Sequence, residues 1–176
     1  MNQSCDSIGI NRKIVEFIDS GWSFAVALIL KVDGSTPRKA GVKAVIDETG
    51  KIWGTLGGGQ VEAEAQRRAV EVCKSKHPVV FDVNLYGADR ADDVPICGGS
   101  MRLVIDPNPA KDRSSYAQVA EAMLQRQRGV MLTIVRSAEH TEVQSQWFQQ
   151  QDIPSDIAFP GTDDVRSCLT HERPQL

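Results

Sequence analysis

The sequence predicts an α/β protein of the α+β-like kind, a mixed β-sheet with packed helices in a single domain followed by a C-terminal tail. Three observations predict it. Residues 24–32 form an apolar, β-branched run of strand length, which reads as a strand buried on both faces. Residues 42–47 and 51–56 are strand-like runs separated by Glu48-Thr49-Gly50, which is turn chemistry and implies a hairpin. Helical periodicity then appears between strand patterns, most clearly over residues 60–76.

The elements follow in order. Residues 11–20 carry Ile14, Phe17 and Ile18 at helical spacing, with Asn11 as a cap and Gly21 as a stop. The strand over 24–32 ends at Gly34-Ser35-Thr36-Pro37, and the hairpin follows it. Gly57-Gly58-Gly59 leads into the helix over 60–76, whose buried face is Val61, Ala65, Ala69, Val72 and Cys73. Residues 79–85 alternate as a strand, with Phe81 and Val83 on one face and Asp82 and Asn84 on the other. A loop over 86–100 leads to a strand over 101–106. Tyr116, Val119, Ala120 and Met123 mark another helix, and Ser115 with Gln118 resembles a capping box at its start. Residues 130–135 form a last strand. The domain is expected to span residues 1–143, leaving 144–176 as a polar tail with little regular structure, docked by Trp147, Phe148 and Phe159.

Composition narrows the function. Of 176 residues, 41% are hydrophobic and 24% charged, enough for a packed core. A net charge of −3 and no basic stretch argue against nucleic acid. The longest apolar run, 24–30, is too short to span a bilayer, and the N-terminus lacks a basic-then-apolar leader pattern. The four cysteines, Cys5, Cys73, Cys97 and Cys168, are scattered without zinc-type spacing, which suits free thiols in a reducing cytoplasm.

Three loops have the composition of a binding site. Gly34-Ser35-Thr36-Pro37-Arg38-Lys39 offers two hydroxyls and two cations to an anion, although the same residues also suit a proline-stiffened surface turn. Gly57-Gly58-Gly59-Gln60-Val61-Glu62 places three glycines before a helix start, where backbone amides favour a phosphate. It is neither a P-loop nor a dinucleotide fingerprint, and Glu62 and Glu64 would repel an anion placed beside them. A tight connection needing positive φ explains the glycines equally well. The third loop, Pro95-Ile96-Cys97-Gly98-Gly99, presents an accessible thiol suited to a soft metal or to sulfur transfer. Asp89, Asp92 and Asp93 upstream would raise that thiol's pKa, and a small buried residue at a strand entrance is the plain alternative.

In their order and spacing, Gly-Ser-Thr-Pro-Arg-Lys, Gly-Thr-Leu-Gly-Gly-Gly-x-Val-Glu and Pro-Ile-Cys-Gly-Gly resemble the XdhC/CoxI family of molybdenum-hydroxylase maturation factors, over residues 22–107. The resemblance implies a non-enzymatic accessory protein in the cytoplasm. It would transiently bind and protect molybdenum cofactor (molybdopterin), assist its sulfuration by a cysteine desulfurase, and deliver it to a xanthine dehydrogenase-type hydroxylase. By the same match Cys97 is the candidate metal contact. Ser35, Arg38, Gly57, Gly58, Gly59, Gln60, Glu62, Gly98 and Gly99 are the other candidate cofactor contacts.

Two departures bear on this. Many relatives carry cysteine after the three glycines, where this chain has Gln60, which can hydrogen-bond a pterin but is neither a soft ligand nor a sulfur relay and so counts against a two-cysteine mechanism. Longer relatives continue into a Rossmann-like domain, and no such segment follows residue 107. The chain is therefore expected to be either a short form or one half of a split pair that works with a separate Rossmann-domain partner, and a homodimer covering a sheet edge is a further expectation. Rival readings are a protein-binding scaffold for hydroxylase maturation, a small nucleotide-binding transferase using the Gly57 loop, and a thiol-transfer protein centred on Cys97.

Overall fold

The computed structural model of the protein describes residues 7–85, 98–137 and 139–153. In chain order the elements are α1 (Ser7–Asp19), β1 (Phe24–Gly34), β2 (Lys43–Asp47), β3 (Ile52–Gly54), α2 (Gly59–Ser75), β4 (Val79–Asn84) and β5 (Gly99–Asp106). A 3-10 turn, Pro109–Asp112, then leads to α3 (Arg113–Leu124), β6 (Gly129–Ser137) and β7 (Thr141–Gln149). The main sheet has the order β3-β2-β1-β5-β4, and β6 and β7 form a separate hairpin. The expected α+β architecture is present, with every described pairing antiparallel rather than mixed. The reason is topological: α2 carries the chain from the β3 edge to the far β4 edge, so it does not join two parallel neighbours.

β1 lies at the centre, and both its faces are buried. Ala25, Ala27 and Ile29 point into one core with Val61, Ala65, Ala69, Val72 and Cys73, the helix face read from the sequence. The alanines on both sides let α2 lie close to the sheet. Phe24 and Val26 face the opposite way, into a second core with Ile10, Ile14 and Phe17 of α1 and Tyr116 of α3. Leu28 and Val104 meet Val143 of the hairpin. The sheet is thus sandwiched between α2 on one face and α1, α3 and the β6–β7 hairpin on the other.

The β2–β3 turn is built as its sequence predicts. Asp47 Oδ1 accepts from Thr49 N at 2.8 Å, Thr49 Oγ1 at 2.6 Å and Lys51 N at 3.0 Å. Burial pushes the Asp47 carboxyl up, but these donors together with Lys51 outweigh it and hold it below its ordinary value. Gly50, at φ 87°, supplies the left-handed turn position.

Three expectations change. Asn11 does not cap α1, because the helix starts a turn earlier at Ser7 and buries Asn11. Ser115 does not open a capping box: α3 starts at Arg113, and Ser115 Oγ donates to the Ser145 carbonyl at 3.0 Å. The expected boundary after residue 143 falls inside β7, which runs on to Gln149. Its inward residues include polar Ser145, whose amide donates to Asp112 Oδ2 at 2.7 Å. A strand that buries serine instead of an apolar residue has no hydrophobic alternation to read. Residues 154–176 of the expected tail, including Phe159, lie outside the described residues.

Candidate functional site

The loop at residues 34–39 and the Gly98-Gly99 end of the third loop meet backbone to backbone. Gly34 pairs with Gly99 at the last register position of β1 and β5. The Ser35 amide donates to the Gly98 carbonyl at 3.3 Å, and the Leu85 amide donates to the Gly99 carbonyl at 2.8 Å. Side chains are excluded here for a steric reason. A Cβ on Gly99 would sit 2.5 Å from both the Asp33 and Ser35 carbonyl oxygens, and one on Gly34 would strike the Gly98 carbonyl. Gly34 also stands at φ 69°, a left-handed conformation that favours glycine.

The glycine-rich loop abuts the same turn from the other side. Gly57, at φ 114°, lies under Pro37, and a Cβ there would come within 2.5 Å of Pro37 Cγ and 3.4 Å of Arg38 Cγ. The turn is closed by Thr36 Oγ1, which donates to the Arg38 carbonyl at 2.9 Å. The structure therefore gathers Ser35, Arg38, Gly57 and Gly98-Gly99 at one end of the sheet, with Ser35, Arg38, Gly59 and Gln60 exposed. Cys97, the expected metal contact, lies outside the described residues, as do Cys5, Cys168 and the aspartates at 89, 92 and 93. Among the described residues no group of three or more His, Cys, Asp or Glu is arranged to hold a metal. Cys73 is in the α2 core, as expected, and burial pushes its thiol up.

The two glutamates near the start of α2, indistinguishable in sequence, separate in space: only Glu62 lies in the first turn of the helix. Glu64 pairs outward with Arg67 at 2.7 Å and Arg68 at 2.6 Å. The Arg67 hydrogen bond, with Arg68 behind it, pulls the Glu64 carboxyl down to about 2. Glu62 instead turns back over the glycine loop. Its Oε1 accepts from Thr55 Oγ1 at 2.5 Å, Leu56 N at 2.9 Å and Gly58 N at 3.0 Å. The Gly57 amide donates to Thr55 Oγ1 at 3.1 Å. Burial alone would raise the Glu62 carboxyl, but the Thr55 hydroxyl and the loop amides overcome it and hold it low. The amides expected to receive a phosphate at Gly57 and Gly58 thus already donate within the chain. Thr55 and Pro37 are site residues that sequence reasoning passed over; the signal for Thr55 was a hydroxyl beside the glycines with an acid in the following helical turn.

Beside Gln60 lies an open depression of about 470 Å³, lined by Ala63, Glu64, Arg67, Asp82 and Asn84 among others. Its wall is mixed in charge, with Glu64 and Asp82 beside Arg67, and Asp82 is itself paired with Arg102 at 2.8 Å. Taken together, the end of the sheet offers cations and a hydroxyl from one loop, an amide side chain from another, and a glycine pair adjoining a cysteine from the third.

Comparison with known proteins fits this arrangement. Residues 17–84 match the XdhC and CoxI family. The matched segment contains the first two loops and ends before the third. "Uncharacterized protein YqeB" of Escherichia coli (strain K12) is 32% identical over 92 residues, which is 51% of this chain and 16% of YqeB. A solved structure described as a xanthine dehydrogenase from Bacillus halodurans shares the fold, with a TM-score of 0.63 at 20% identity. The likeness covers 82% of this chain and 44% of that one, so the chain spans less than half of either relative. No helix among the described residues is long and apolar enough to cross a membrane.

Proposed function

We propose that this chain is a non-catalytic accessory protein that binds and protects molybdenum cofactor and assists its sulfuration and insertion into a molybdenum hydroxylase of the xanthine dehydrogenase type. The observation that carries the reading is the backbone pairing of Gly34 with Gly99 and the seating of Gly57 under Pro37, which bring the first two loops and the Gly98-Gly99 end of the third to one end of the sheet. The match of residues 17–84 to the XdhC and CoxI family supports the same role.

The residues present fit such a cofactor at its anionic end through Ser35 and Arg38, which are exposed and adjacent on the first loop. Gln60 is the polar side chain nearest the helix start and suits the pterin's donors and acceptors. Cys97 is assigned to the metal end by its place beside Gly98 in the chain, since a thiolate suits a soft metal centre. When bound, the cofactor supplies the redox chemistry of the client enzyme, and this chain's part is to hold and shield it. The partners this role requires are the hydroxylase client and a cysteine desulfurase; a separate protein with a Rossmann-type domain and a homodimer are both compatible with it. The engaged Gly57 and Gly58 amides count against the nucleotide transferase reading, which needs them for phosphates.

The test is to incubate the purified protein with released molybdenum cofactor, separate by gel filtration, and assay the protein peak for molybdenum and pterin fluorescence. Near-stoichiometric co-elution, reduced by Cys97→Ala and by Arg38→Ala, is expected. Absence of co-elution, both alone and with the Rossmann-domain partner added, would refute cofactor binding and leave a protein-binding scaffold.

A further inference from the structure

An acidic residue in the first turn of a helix ordinarily points to solvent and complements the helix dipole. Glu62 does not. Its side chain is half-buried and reaches back past the helix cap to Thr55, seven residues earlier in the chain. One carboxylate oxygen collects the Thr55 hydroxyl and the Leu56 and Gly58 amides, and Thr55 collects the Gly57 amide between them. A run of amides folded around one point is the geometry that captures anions in many proteins. In this chain the captured anion is part of the protein.

We propose that Glu62 is the positioning residue of the candidate site: its carboxylate is the anion around which the glycine turn folds, and it directs an anionic ligand to residues 35–39 instead. The inference rests on the binding role proposed above and specifies how that site divides its labour. Two physical consequences support it. An amide already donating to a carboxylate has no hydrogen left for a phosphate, and a phosphate beside that carboxylate meets like-charge repulsion. The turn that Glu62 shapes also carries Gly57, whose position under Pro37 fixes the approach of the glycine loop to the Ser35 and Arg38 turn. The carboxylate therefore acts on the ligand through the loop, without touching it.

The experiment uses the whole ¹⁵N-labelled chain and inorganic phosphate as the probe, with amide shifts followed by NMR. In the wild type, phosphate is expected to shift the amides of Thr36, Arg38 and Lys39 and to leave Leu56, Gly57 and Gly58 in place. In Glu62→Ala the emptied turn becomes available, and phosphate-induced shifts appear at Leu56 and Gly58. Glu62→Gln keeps an acceptor oxygen and is expected to restore most of the wild-type pattern. A merely structural glutamate would not relocate the phosphate response. Phosphate shifts at Leu56 and Gly58 in the wild type, or no response at residues 35–39, would overturn the proposal. Because the wild-type titration decides this by itself, misfolding of the alanine variant leaves the test intact. Failure of cofactor co-elution would strike the proposed function and leave these shifts unchanged. Co-elution without the expected shifts would strike only the role of Glu62.

Discussion

Replacing Gly57 with alanine tests the contact that joins the glycine loop to the first loop. The new methyl would lie 2.5 Å from Pro37 Cγ and 2.9 Å from Pro37 Cβ, so the two loops must part. Forcing extra volume into a packed contact costs about 1–3 kcal/mol. An alanine held at the φ of 114° adds backbone strain of about 1–3 kcal/mol. Gly59→Ala is the control, because Gly59 also has positive φ, 57°, but a Cβ there meets nothing within 4 Å. Its cost is backbone strain alone, about 1–2 kcal/mol. The two variants should therefore differ by about 2 kcal/mol, which at a urea m-value near 2 kcal/mol/M separates their midpoints by about 1 M. Urea unfolding followed by tryptophan fluorescence measures this directly, with equal m-values as the check on two-state behaviour. A Gly57→Ala midpoint no lower than that of Gly59→Ala would refute the claim that these loops are in contact.

Two further outcomes follow from the core and the buried acids. Ile14→Ala empties a fully buried position between α1 and the sheet and is expected to cost about 2–5 kcal/mol by urea unfolding; a loss below 1 kcal/mol, taken as the order of an exposed substitution, would show that α1 does not dock there. Asp106 is buried, and desolvation raises its pKa despite the Asn108 amide and Lys111 3.6 Å away. A raised carboxyl binds its proton more tightly when folded, so its contribution to stability is lost as pH rises from the ordinary value of 3.8 through the folded value. Asp106→Asn should then raise the urea midpoint at neutral pH, with the gain vanishing below 3.8. An equal gain at both pH values would show that the carboxyl's charge is not the cause.

Much of the fold was legible in residues with a strong period or a strong composition. The α2 face of Val61, Ala65, Ala69, Val72 and Cys73 is buried as read, since a helix displays every third or fourth side chain to one neighbour. The central strand was legible because burial on both faces removes polar residues from the run. β7 was hidden because its inward Ser145 satisfies itself with Asp112 and Thr133 rather than by being apolar. The three loops were readable as candidates from glycine, hydroxyl, cation and thiol content.

By itself, the sequence determined most of the helices, strands and glycine-rich loops, β7 excepted, because local periodicity and backbone preference are written residue by residue. It also determined the order of the three loops. Only the tertiary structure decided that Gly34 faces Gly99 and Gly57 faces Pro37, because such approaches depend on sheet register and on where α2 returns the chain. The same holds for Glu62 and Glu64, which occupy one helical turn and carry the same charge. One is claimed by arginines on its own helix and the other by the amides of the loop before it, a division set by which partners lie within hydrogen-bond reach.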